Sequence, residues 1–288
     1  MKKIYSIILA VTALCFVANA QSVSNFALEE KNGHLYFSAE IAEEQVDIML
    51  ESGIPAFLID RNFYEQKLKN DLNLDPSTAK IRLLNNQYDI IFKGSGKLQV
   101  GDMLYDGPIF ILDNFGDARI PIQNLRNQQG EKAPICINLQ QGLLSVGQPA
   151  TANTGKSYRI RTDKDMGFMV VTAPISIHTD GATYQIKDDL IVDFGNPTLL
   201  FLMKKHKKIA KAIDKCLTLK DAYNQEGVLV AQGIFAEEIT ICGRTYKDVS
   251  IGVTDKMPFI KQLGFLGIPF FGSYTVFDFA KETMTIIE

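Results

Sequence analysis

Two segments of the chain, QVDIMLESGIPAFLI at 45–59 and KDDLIVDFGNPTLLF at 187–201, each set an acid two residues before a glycine, with apolar runs on either side. A turn of this kind in duplicate restricts the chain to folds built from two equivalent halves. The register extends beyond the turn. Glu51 and Asp193 lie 142 residues apart, Tyr105 and Tyr246 lie 141 apart, and Asn138 and Asp278 lie 140 apart. An offset this steady marks an internal duplication.

Periodicity and punctuation give the same order of elements in each copy. An extended segment, 35–50 or 169–192, leads into the acidic turn and a short apolar run. A helical pattern follows, with Tyr64, Leu68 and Leu72 in the first copy and Ile209, Ile213 and Leu217 in the second. Alternating segments rich in Ile, Val, Tyr and Phe come next, broken by Gly and Asn as hairpins are. A single strand, 135–146 or 275–286, is expected to close each half, and each acid is expected to face its twin. These patterns predict an all-β chain of two lobes with about one helix in each.

Residues 1–20 carry Lys2 and Lys3, an apolar stretch and Ala18-Asn19-Ala20, the pattern of a signal peptide cleaved after Ala20. The product is expected to be exported, to the periplasm or beyond the cell, with no transmembrane segment. Losing Lys2 and Lys3 takes the formal charge from −3 to −5, which argues against nucleic acid as a partner. The polar stretch 148–157 reads as a linker between lobes 21–147 and 158–288, each of ordinary domain size. A monomer is expected.

Three cysteines remain beyond the leader, Cys136, Cys216 and Cys242. Cys136 and Cys242 sit in apolar strand patterns and read as buried small hydrophobes. No pair has metal-ligand spacing, and His34, His178 and His206 stand apart as surface polar residues, so neither a metal nor a cofactor is expected. ATANTGKS at 150–157 loosely matches a phosphate loop but leads into no amphipathic helix. Asp193-Phe194-Gly195 matches a kinase tripeptide without its catalytic-loop counterpart.

The acidic turns, followed about 70 residues after the second by LGFLG at 263–267 and a closing strand, resemble the aspartic peptidases of the pepsin and retropepsin type. The second half holds the fuller match, with Asp193-Phe194-Gly195 as the acid triplet and Phe265-Leu266-Gly267 as the apolar-apolar-Gly element. In the first half Glu51-Ser52-Gly53 stands for the triplet, and the counterpart of Gly267 falls near Arg126 or Asn127. The resemblance implies a bilobal fold with a groove for an extended peptide or protein ligand. It implies Glu51 and Asp193 as a dyad sharing one proton, with glycines that let the loops approach. It also implies a covering hairpin at 82–92 (RLLNNQYDIIF), with Asn85-Asn86 as its turn and Tyr88 near the tip.

Two positions depart from that pattern. Glu51 is one C–C bond longer than Asp, about 1.5 Å, and a misplacement of about 1 Å can cost roughly 100-fold in rate. Phe194 replaces a hydroxyl that ties the loops together, whereas Ser52 keeps its own. Two functions follow from the resemblance, an endopeptidase acting through Glu51 and Asp193 or a non-catalytic module that holds a peptide or protein in the groove.

Overall fold

The computed structural model describes residues 23–83, 86–147, 155–215, 217–223, 229–257 and 259–287. The expected leader, the cleavage site, Cys216 and residues 148–154 of the expected linker lie outside them. Strands dominate, and the two helical segments are short.

Six antiparallel strands form a shared sheet, three from each half. Their order is Ser24–Lys31, Leu143–Val146, Ile135–Asn138, Tyr274–Asp278, Thr283–Ile287 and Lys156–Thr162. The central pairing matches Ile135 with Phe277, Cys136 with Val276 and Ile137 with Thr275. Adding 140 to each first-half position returns the same set of pairs, so the pairing maps onto itself under the duplication. A near-twofold axis passes through the Cys136–Val276 pair. The outer strand of each half then leaves the shared sheet for its own lobe. Leu28 to Lys31 pair with His34–Ile41, and Ile160 to Thr162 pair with Met169–Thr179.

Within each lobe an acid-bearing strand lies parallel to a short crossing strand, which in turn runs antiparallel to the strand after the acid. Glu44–Glu51, Ala118–Pro121 and Phe57–Asp60 stand in this order in the first lobe. Ala182–Val192, Gly264–Leu266 and Leu200–Met203 repeat it in the second. Alternation drives the packing: Leu35, Phe37, Ala39 and Ile41 turn inward from one strand. Each fully buried Leu, Ile or Phe contributes about 1.5–3 kcal/mol.

Several boundaries differ from the sequence reading. The extended segments 35–50 and 169–192 are each hairpins, His34–Ile41 with Glu44–Glu51 and Met169–Thr179 with Ala182–Val192. The first turn is Ala42-Glu43, both at positive φ without a glycine, which leaves no compositional signal. The closing strands are hairpins too, Ile135–Asn138 with Leu143–Val146 and Tyr274–Asp278 with Thr283–Ile287. In the first lobe the helix is Arg61–Phe63 running into a π turn, Tyr64–Leu68, so Leu72 lies past its end although it is buried. The second helix is Lys207–Lys215, with Ile209 fully buried. Strand Lys156–Thr162 begins inside the stretch read as linker. No helix among the described residues is long and apolar enough to cross a membrane.

Candidate active site

The two acidic turns meet at the axis. Glu51 ends its strand opposite Pro121, and Asp193 follows Val192, its N–H donating to the Leu266 carbonyl at 2.9 Å. The two carboxyl groups hydrogen-bond each other. Each glycine makes room for the acid of the other lobe. A Cβ on Gly53 would stand 2.6 Å from Asp193 Cγ, and one on Gly195 would overlap the Glu51 carboxyl oxygens. The extra length of Glu51 is accommodated because it reaches into space that only a glycine leaves open.

Ser52 ties the loops across the axis. Its hydroxyl donates to the Val192 carbonyl at 2.9 Å and accepts from the Phe194 N–H at 3.0 Å. Phe194 returns no such bond. Its ring is fully buried, stacked on Phe271 with centroids 4.5 Å apart and edge-on to Phe277 at 5.6 Å, so it belongs to the core of its own lobe. Gly267 packs against the backbone of the Asp193 loop, where a Cβ would overlap the carbonyls of Asn196 and Thr198. Its first-lobe counterpart is Pro121, not Arg126 or Asn127. Matched registers place Leu50 on Ile120 and Val192 on Leu266, and a short 3-10 turn follows each, Ile122–Asn124 and Ile268–Phe270.

Burial and the neighbouring Asp193 raise the Glu51 carboxyl well above its usual range, opposed by the Arg119 guanidinium. Burial pushes Asp193 up to about 6, while hydrogen bonds from Gly195, Glu51 and Gly53 oppose it. Both carboxyl groups are thus raised, and the pair favours a state in which one proton is shared between them. Like charges at this separation cannot both form at low cost.

The acids open onto a cleft of about 620 Å³. Hairpin Lys80–Leu83 with Asn86–Val100 forms one wall and presents Ile81, Leu83, Asn86 and Tyr88 to it. Leu83 pairs with Asn86, so Asn86 opens the return strand instead of sitting in the turn, and Asn85 lies outside the described residues. Tyr88 packs edge-on to Phe115 at 5.1 Å. The second lobe lines the cleft with apolar groups, Phe168, Phe201, Ile260 and Phe265 among them.

Two cleft residues carry chemistry that the sequence did not single out. Arg119, on the crossing strand, has Nη1 3.8 Å from Glu51 Oε1, its Nε bonded to Asp117 at 2.9 Å, and its head over the Phe115 ring. In the second lobe the same register position is Phe265. A lone cation in an apolar run (ARIPI, 118–122) was the available signal. His34 is half-buried in the cleft wall and hydrogen-bonds the Gly195 backbone, which overturns its reading as a surface residue. Burial and Arg119 lower its pKa. Cys136 and Cys242 are buried, and no cluster among the described residues could hold a metal ion.

Comparison with solved structures gives a match over nearly the whole chain. The crystal structure of the aspartic proteinase from Irpex lacteus aligns with 92% of this chain and 96% of its own, at a TM-score of 0.54 and 11% identity. The fold is pepsin-like. No family model and no curated protein sequence matches the chain. At this identity the likeness concerns architecture alone. In these terms the shared six-stranded sheet joins the two pepsin-like lobes, and the carboxyl pair lies between them.

Proposed function

We propose that the protein is an exported endopeptidase that takes an extended polypeptide in the inter-lobe cleft and cleaves it with Glu51 and Asp193. One observation carries this reading: two carboxyl groups from separate turns hydrogen-bond at the cleft floor, each seated against the other lobe's glycine. Ionised Asp193 takes a proton from a water as its oxygen attacks the peptide carbonyl carbon, and Glu51 gives its proton to the carbonyl oxygen. The tetrahedral adduct then collapses. The C–N bond breaks, Asp193 passes its proton to the leaving nitrogen, and Glu51 recovers one from the adduct's hydroxyl, so the pair ends with one proton as it began. The hairpin carrying Asn86 and Tyr88 closes over the bound chain. Residues 1–20 serve as the leader, the second lobe begins with strand Lys156–Thr162 and not at 158, and the mature protein acts as a monomer without metal or cofactor.

A second reading, a peptide-holding module without hydrolysis, is favoured by one specific feature. The hydroxyl that would mirror Ser52 is absent at Phe194, so half of the cross-lobe hydrogen bonding is missing. Incubating the purified protein with an unfolded protein substrate from about pH 3 to 8 separates the two. Cleavage that disappears in both Glu51→Gln and Asp193→Asn supports the peptidase. Binding without cleavage at any pH supports the module, and cleavage retained in Asp193→Asn removes the dyad from either account.

A further inference from the structure

The cleft does not end at its apolar wall. Met257 and Ile260 also border a second space of about 610 Å³. Lys205, Lys207, Lys208 and Lys261 line that space, against Asp188 and Asp255. Together the two spaces take seven of the chain's 30 basic side chains and four of its 33 acidic ones. Two of those four are Glu51 and Asp193, which share a proton. An acidic chain has therefore placed a positive surface along its groove.

That surface is only partly neutralised from within. Lys208 is held by Asp188 at 2.9 Å and Lys261 by Asp165 at 2.6 Å, while Lys205 and Lys207 are exposed and make no ion pair among the described residues. Helix Lys207–Lys215 begins here with no acid in its first turn, so nothing on that turn offsets the cluster. Clustered like charges repel, and the uncompensated remainder attracts an anionic occupant.

We infer that the groove selects a polypeptide with an acidic stretch beside an apolar one, its carboxylates at Lys205, Lys207 and Lys261 and its apolar side chains against Met257 and Ile260. The inference rests on the groove holding an extended polypeptide, as proposed above. Binding would be read by fluorescence anisotropy with labelled ten-residue peptides that carry a hydroxyethylene in place of the central peptide bond. They share an apolar centre and are flanked on one side by three Glu, three Gln or three Lys. The Glu peptide should bind about tenfold tighter than the Gln peptide, as three exposed charge pairs allow. The preference should shrink as salt rises from roughly 20 mM to 500 mM. The triple variant K205Q/K207Q/K261Q should erase the preference, bringing the Glu and Gln peptides to equal affinity. Equal binding of Glu and Gln peptides, or a preference that survives the triple variant, overturns the inference and leaves the groove reading standing. Failure of all three peptides to bind overturns both. Tighter binding of a single-stranded oligonucleotide than of the Glu peptide would also overturn it, by showing that the cations serve phosphate.

Discussion

Phe194→Thr restores the hydroxyl found at this position in the resembled family, and from the sequence it looks like a repair. The packing around Phe194 gives the opposite expectation. The ring is fully buried between Phe271 and Phe277. Truncating a buried Phe costs about 3–5 kcal/mol, with aromatic contacts of roughly 0.5–1.5 kcal/mol included in that loss. The new hydroxyl could mirror Ser52 by donating to the Leu50 carbonyl and accepting from the Ser52 N–H, worth about 0.5–1.5 kcal/mol each. The balance is a destabilisation of about 2 kcal/mol, which lowers the melting temperature by roughly 4–8 °C in a chain of this size. Urea unfolding followed by intrinsic fluorescence measures it, with Phe194→Leu as a smaller truncation that adds no hydroxyl. A Phe194→Thr protein as stable as the parent would refute the reasoning, because it would mean that the aromatic cluster contributes nothing beyond what two hydrogen bonds replace.

Gly195→Ala drives a methyl group into the Glu51 carboxyl, so the lobes or the acid must shift. A stability loss of about 1–3 kcal/mol is expected from thermal melts, with loss of the proposed cleavage, and an Ala variant as stable as the parent would contradict the seating described. Both acids titrate higher in the folded chain than in the unfolded one, so the folded state binds more protons between those values. The stability they contribute is complete below about pH 4 and falls as pH rises through about 6 for Asp193. Urea midpoints from pH 4 to 8 should therefore decline more steeply in the parent than in a Glu51→Gln/Asp193→Asn double variant; an equal or shallower decline in the parent counts against the shared proton.

The duplication was legible because the acid, the glycine and the flanking apolar runs recur at fixed spacing. What that spacing could not reveal was pairing between distant segments. Pro121 was missed as the partner of Gly267 because the second lobe carries four more residues between acid and crossing strand, and only the parallel registers expose the offset. Arg119 reaches Glu51 through the same crossing strand, some 70 residues along the chain. Ala42-Glu43 bends without glycine, so a hairpin read as one strand. Phe194 was legible as the loss of a hydroxyl but not as a gain of packing, because Phe271 and Phe277 approach it only in the folded lobe.

The two acids also differ in length, and with their unlike neighbours this inequality gives the cleft two different sides. A site made of two identical turns would look the same to a polypeptide entering in either direction. Here the longer arm lies beside Arg119, while the register position that matches Arg119 in the second lobe is Phe265. Under the proposed function, a polypeptide in the groove would meet a cation on one side of the acid pair and an aromatic ring on the other. Duplication supplied two equivalent arms, and their divergence left the site asymmetric.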